Sequence, residues 1–299
     1  MISIIILQMI LPPIIILVGV VGNILTILVY SRKSFSKLST KNTWRILATV
    51  EIFNVLQLTK HFAKNTFAFN INKVSSFTCK LFAYISYFNS IPAWLLTYLS
   101  IERFLMIRSF HRLHRISIKY QTLIITFCIF WDLVIFSPIL ILYYVDYENK
   151  TICRIIKGYE SFDIFFYYFD TINSTILPFL IMFLCSLFLI QSVFKSRNKL
   201  RKKPTVAANR KLRRDIQFSL TLIVSNLLFF ILNFPITIKL LLEPEDSSFS
   251  YFLLVDLYYT SYTINFFIYL ITNSNFRRAF FHVFGFRSRK KKMDIYKIT

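Results

Sequence analysis

The chain has 299 residues, of which 56% are hydrophobic and 17% charged, and its formal net charge is +22. Its mean hydropathy is +0.56. A soluble domain of this length carries more charge and less apolar character, so composition argues against a soluble enzyme or an ordinary globular binding module.

Taken in chain order, apolar runs predict helices over Ile4–Tyr30, Ile46–Phe69, Cys79–Ile107, Gln121–Val145, Ile164–Phe194, Ile216–Leu242 and Phe249–Asn273. Each exceeds the roughly 20 residues that a helix needs to cross a bilayer. Barrel strands would alternate in polarity over about ten residues, and these runs do not. The expected fold is an all-α membrane protein, a seven-transmembrane helix bundle. Lys60, His61 and Lys64 weaken the second run and are expected near its outer end.

Basic residues set the orientation. Arg32, Lys33 and Lys37 follow the first run, and Arg108, Arg112 and Arg115 follow the third. Lys195 to Arg214 supplies a dense set between the fifth and sixth, and Arg287 to Lys297 follows the seventh. In a seven-span topology all of these fall on one side, which makes that side cytoplasmic. The N-terminus is then outside and the C-terminus inside. No basic n-region or small-residue cleavage site precedes the first run, so no removed signal peptide is expected. The basic excess lies on short loops beside anionic lipid, which argues for membrane lipid and against nucleic acid as its partner. The expected organisation is one domain over residues 1–286 and a short basic cytoplasmic tail over 287–299.

Cys79 opens the third run at its outer end, and Cys153 lies in the outer loop after the fourth. Both face the oxidising side, where disulfides persist. A bridge there would contribute about 4 kcal/mol on the chain-entropy model; the alternative is two free thiols. Cys128 and Cys185 lie mid-run and read as buried small apolar residues. Asn149-Lys150-Thr151 is a glycosylation sequon in the same outer loop.

Few polar groups interrupt the helices. Asn23, Glu51 and Asn265 are expected to cluster in the interior, since an intramembrane acid needs a wet surrounding and partners. Such a cluster can hold a cation or a proton, or act as polar glue between helices. Asn265 and Tyr269 stand four apart on one face. Pro92, Pro138, Pro178 and Pro235 each remove a backbone bond and permit a kink. At the inner end of the third run, Glu102-Arg103 is either a switch, with the Arg free to exchange partners, or a snorkelling surface Arg beside an acid. Asp215 can reach Arg103 across the bundle or neutralise its own neighbours Arg213 and Arg214.

In this order and spacing these residues resemble the rhodopsin-like (class A) family of G-protein-coupled receptors. The resemblance rests on Gly22-Asn23, Leu47-Ala48-Thr49-Val50-Glu51, Glu102-Arg103-Phe104, Trp131, Pro178, Pro235 and Asn265-Phe266-Phe267-Ile268-Tyr269. Asn275-Phe276-Arg277-Arg278-Ala279-Phe280 is similar to the start of a short amphipathic eighth helix. The departures are Glu51 for Asp, Asn233 where the family has Trp, Ser186 for Tyr, Phe266 for Pro, and Pro92 where a Ser completes a sodium site. The resemblance implies a plasma-membrane, multi-pass receptor that transmits binding of an extracellular ligand to a heterotrimeric G protein through the Gα C-terminus. Glu102, Arg103, Asp215 and Tyr269 would form its coupling switch, and Asn23, Glu51 and Asn265 its interior polar network. Ile85, Ser86, Tyr87, Asn233, Tyr258, Tyr259 and Tyr262 would line the ligand pocket. Span three lacks the Asp of amine receptors and span seven lacks a retinal-binding Lys. An aromatic cup under an acidic rim suits a peptide with a basic or amidated end.

The competing class is a membrane carrier or channel with a polar path around Glu51. No enzyme, cofactor or metal site is implied, because the four histidines have no metal-ligand spacing and no nucleophile stands beside a base.

Overall fold

The computed structural model describes residues 2–36, 38, 40–108, 118–146, 152–202, 206–242 and 249–285. Within them the chain is almost entirely helical. α1 (Ile2–Tyr30) and α2 (Lys41–Phe67) are antiparallel neighbours. The third apolar run is not one helix but two, α3 (Ser76–Ser86) and α4 (Ser90–Arg108), separated by the 3-10 turn Tyr87–Asn89. Pro92 lies in the first turn of α4, where its missing N–H costs nothing. It therefore starts a helix rather than bending one.

α5 (Ile118–Ile135) ends before Pro138, which caps the single turn α6 (Ile139–Leu142). The predicted fourth span was extended to Val145, but the chain leaves the helix at Tyr143. There it forms β1 (Tyr143–Asp146), paired antiparallel with β2 (Ile152–Ile155). The β-branched and aromatic residues Tyr143, Tyr144 and Val145 suit a half-buried strand as well as a helix end, so hydrophobicity alone placed this boundary three residues too far.

α7 (Glu160–Thr171) continues through the π-helical turn Ile172–Ile176 into α8 (Leu177–Lys202), with Pro178 in the first turn of α8. α9 (Val206–Leu242) carries Pro235 without a break. α10 (Phe249–Thr263) and α11 (Asn265–Thr272) are divided at Ile264, and α12 (Ser274–Val283) follows, capped by Asn273.

α4 is the central helix. It touches α2, α5, α8 and α9, and Ala93, Leu95, Leu96 and Leu99 are at most 1% exposed. The outer faces are apolar instead: Leu17, Phe53, Phe127, Phe130, Ile164, Phe183 and Leu227 all stand exposed. A soluble protein rarely shows so much contiguous apolar surface, whereas a helical membrane protein needs it. Among the described residues, four helical stretches are long and apolar enough to cross a membrane: Gln8–Tyr30, Tyr120–Leu142, Glu160–Ser192 and Ile216–Leu242.

Two local devices hold the frame. Gly19 lets α1 approach α2 and α10, because a Cβ there would lie 2.6 Å from Thr263 Oγ1 and 2.9 Å from Val55 Cγ1. Gly19→Ala is expected to cost about 1–3 kcal/mol through overpacking, read as a lower melting temperature of the purified protein. At the opposite end, Cys79 and Cys153 are disulfide-bonded with Cα atoms 5.6 Å apart, tying the β-hairpin to the start of α3. The bridge spans 74 residues. Cys79→Ser should remove about 4 kcal/mol of loop-closure stabilisation and reduce folded protein at the cell surface, measured by surface labelling. Cys185 is buried as expected, while Cys128 is only half-buried.

Candidate functional site

The chain's buried polar groups gather at three depths, which we describe from the α4–α5 loop end (the inner end) upward.

At the inner end, Glu102 and Arg103 are 1% and 2% exposed, so neither is a surface residue. Consecutive residues on a helix do not face each other, and these two send bonds to different helices. Glu102 Oε1 accepts from Gln121 Nε2 of α5 at 3.2 Å. Arg103 Nη2 donates to Thr40 Oγ1, at the start of α2, at 3.1 Å. The Arg103 guanidinium also lies 4.9 Å from the centre of the Phe218 ring of α9, within cation–π range. The side chain of Asp215 lies outside the described residues. Two residues on, Gln217 exchanges hydrogen bonds with Ser274, at 2.8 and 3.0 Å, and Thr221 meets Thr272 at 2.8 Å. These bonds tie the inner end of α9 to α11 and α12. Tyr269 stands apart from Arg103's described partners. It packs with Trp44 and Phe276, at 5.0 and 5.6 Å between ring centres, and Tyr30 joins the same cluster.

At mid-depth, Asn265 Nδ2 donates to Glu51 Oε1 at 2.5 Å, and both groups are buried. Asn23 does not join this pair as expected from the sequence. Its Nδ2 donates instead to the Tyr262 carbonyl at 3.0 Å, freed where α10 gives way to α11. Glu51 Oε2 and Asn23 Oδ1 are buried without hydrogen-bond partners. Nearby, Asn226 of α9 donates to Ser100 Oγ of α4 at 2.9 Å and to Ser186 Oγ of α8 at 3.1 Å. One side chain thus links three helices.

In the outer half, the tyrosines of α10 form one group. Tyr258 and Tyr259 lie 5.3 Å apart, and Tyr258 and Tyr262 also 5.3 Å apart. The Tyr262 hydroxyl reaches the Tyr258 hydroxyl at 2.7 Å and the Asn89 carbonyl at 3.3 Å. Tyr87 stacks on Phe136 at 4.3 Å. Ser86 Oγ accepts from Lys60 Nζ at 2.6 Å, and the Ile85 carbonyl accepts from Gln57 at 3.3 Å. Lys60 therefore points at α3 rather than ending at the rim. Asn233 bonds back to the Phe229 carbonyl of its own helix at 2.6 Å.

On α5, Trp131 faces outward at 48% exposure, and its neighbour Asp132 is buried. Asp132 accepts from Ser90 Oγ at 2.6 Å and from Asn173 Nδ2 at 3.3 Å. Trp94 Nε1 in turn donates to Asn173 Oδ1 at 3.2 Å. On the hairpin, Arg154 donates to Asp146, and its Nε to the Tyr144 hydroxyl at 3.3 Å. The Tyr144 bond and the Asp146 charge raise the pKa of the Arg154 guanidinium above its ordinary value.

Gln121, Asp132, Asp170 and Asn226 had no part in the sequence reading. Asp132 and Asn226 interrupt apolar runs, which was the available signal, whereas Gln121 opens its run and Asp170 begins the polar stretch Asp170-Thr171-Ile172-Asn173-Ser174-Thr175.

No metal-binding group of three or more His, Cys, Asp or Glu occurs among the described residues. No curated protein matches the chain. The model for the 7 transmembrane receptor (rhodopsin family) matches residues 22–274, which spans Asn23, Glu51, Arg103, Pro235 and Tyr269 and covers most of the chain. The chain belongs to the rhodopsin family of seven-transmembrane receptors.

Proposed function

We propose that this protein is a plasma-membrane G-protein-coupled receptor that transmits binding of an extracellular ligand to the Gα subunit of a heterotrimeric G protein. In this reading the seven spans are α1, α2, α3 with α4, α5, α7 with α8, α9, and α10 with α11. α12 lies along the inner membrane surface, with Phe276 and Ala279 buried and Arg277 and Arg278 exposed. The N-terminus is outside and the basic tail inside. Asn149, outside the described residues, is the glycosylation site.

The observation that carries the proposal is the setting of Arg103. It is a buried cation at the inner end of the central helix, and its described contacts include a threonine hydroxyl of α2 and an aromatic face of α9. A planar, five-donor guanidinium at this position is suited to exchange acceptors when the inner helix ends move. The inner half of α9 is meanwhile fastened by Asn226, Thr221 and Gln217. A ligand in the outer bundle that binds the open arrangement more tightly shifts the population toward it. Arg103 then meets the Gα C-terminal helix. The tyrosines of α10 suit a peptide ligand with a basic or amidated end. Membership of a receptor family favours this reading over the carrier alternative.

The test is reconstitution. Purified protein in nanodiscs with Gα and Gβγ should accelerate nucleotide exchange, and a peptide library on cells with a promiscuous Gα should yield an agonist. Failure to promote exchange with every Gα class would remove the proposal.

A further inference from the structure

A basic ligand needs a carboxylate, and the rim acids among the described residues are already taken. Asp146 holds Arg154. Asp163 accepts from the Tyr143 hydroxyl. Glu160 accepts from the Gly158 N–H at 2.9 Å. One acid deeper in the bundle is different. Asp170 lies at the end of α7, immediately before the π-helical turn, and its Oδ1 is buried with no hydrogen-bond partner. A π-turn resets the helix face that follows it and is common at functional sites. Here it carries Asn173, three residues on, toward Asp132.

The charge that reaches Asp170 among the described residues is that of Asp132, of the same sign. Asp132 has Ser90 and Asn173 as donors, whereas Asp170 Oδ1 has none. An ionised carboxylate left so is costly in a low-dielectric interior, and a bound cation compensates it. The surrounding groups suit that cation. Ser90, a donor to Asp132, also bonds the Tyr87 carbonyl, and the Tyr262 hydroxyl reaches Tyr258 and the Asn89 carbonyl beside Ser90, so these rings share the outer half of the bundle with Asp170; aromatic faces attract ammonium and guanidinium groups. Asp256 of α10 is a further buried acid among the described residues. It lies on the opposite face of α10 from Tyr258 and Tyr262, in a cleft lined also by His61 and Asn65.

We propose that Asp170 is the carboxylate that receives the cationic group of the ligand, with Tyr87, Tyr258 and Tyr262 around it. This assignment rests on the receptor reading and specifies its ligand class. It places the counter-ion on α7 rather than on span three, which lacks the Asp of amine receptors.

The experiment uses two probes that differ only in charge: N-acetyl-phenylalanyl-arginine amide and the same peptide with citrulline. Each is titrated against purified full-length receptor in nanodiscs, with the melting temperature as readout. The arginine peptide should stabilise the wild type in a saturable way. Its half-saturating concentration should rise roughly thirty-fold or more in Asp170→Asn, as for loss of a buried charge partner. The citrulline peptide should bind the wild type as weakly as the arginine peptide binds the variant. Asp256→Asn should behave as wild type. No stabilisation by the arginine peptide, equal stabilisation by both peptides, or unchanged binding to Asp170→Asn would overturn the assignment. Asp170→Glu covers the case in which Asp170→Asn does not fold. It keeps the charge and should keep the preference for arginine; a Glu variant indifferent to charge would contradict the proposal. Gα nucleotide exchange on the same preparations separates the two levels. Exchange intact without charge selectivity removes the ligand assignment alone, and no exchange at all removes the receptor reading.

Discussion

Arg103→Ala is expected to abolish activation of the G protein while leaving the receptor at the cell surface. The described contacts left behind are polar or apolar rather than charged. Thr40 can turn its hydroxyl to its own backbone, Phe218 is apolar, and Glu102 keeps its bond from Gln121. Coupling should not tolerate the change. The guanidinium is the buried cation placed between α2 and α9, and a planar five-donor group cannot be replaced by a smaller one at a docking surface. Arg103→Lys should therefore rescue only in part. Agonist-stimulated or basal nucleotide exchange should fall by more than about tenfold, as for truncation of a central interface Arg, with surface labelling close to wild type. Normal exchange by Arg103→Ala would remove the proposed switch.

Asn226→Leu should act in the opposite direction and raise basal activity. Asn226 joins α9 to Ser100 of α4 and Ser186 of α8. Interhelical hydrogen bonds in membranes contribute about 0.6 kcal/mol on average and up to about 1.7. Loss of two such bonds amounts to roughly 1–2 kcal/mol, or about a five- to thirtyfold shift toward an arrangement in which the inner end of α9 has moved out. Basal nucleotide exchange measures this directly. Ser100→Ala and Ser186→Ala should each give a smaller rise, and neither should add to Asn226→Leu, since all three remove the same knot. A variant with a lowered melting temperature but unchanged basal exchange would show the knot to be glue rather than a latch.

Much of the helical frame was legible in the sequence because membrane helices are written in long apolar runs. The pairing of Cys79 with Cys153 followed from placing both on one face. What escaped was of two kinds. The first is the internal break: the 3-10 turn at Tyr87–Asn89, the end of α5 before Pro138 and the π-turn at Ile172–Ile176. Hydropathy averaged over twenty residues cannot register a change of one hydrogen-bond step. A proline marks only where a helix can give way, not whether it runs on, as at Pro235, or restarts, as at Pro138. The second is the choice of polar partner. Asn23 and Glu51 both belong to the interior, yet Asn23 bonds a carbonyl released at the α10–α11 break. Trp131 stood out as a family marker, while the buried group beside it, Asp132, carries the contacts between helices. Partner choice depends on rotation of whole helices, which periodicity alone leaves open.

The central claim is that the inner ends of α4 and α9 separate to admit a Gα subunit. Spin labels at Met106 of α4 and Ile216 of α9, in receptor reconstituted in nanodiscs, measure that separation by double electron–electron resonance. With nucleotide-free G protein added, a population several ångströms longer should appear, and Arg103→Ala should not show it. A distance distribution that stays the same with bound G protein would contradict the account.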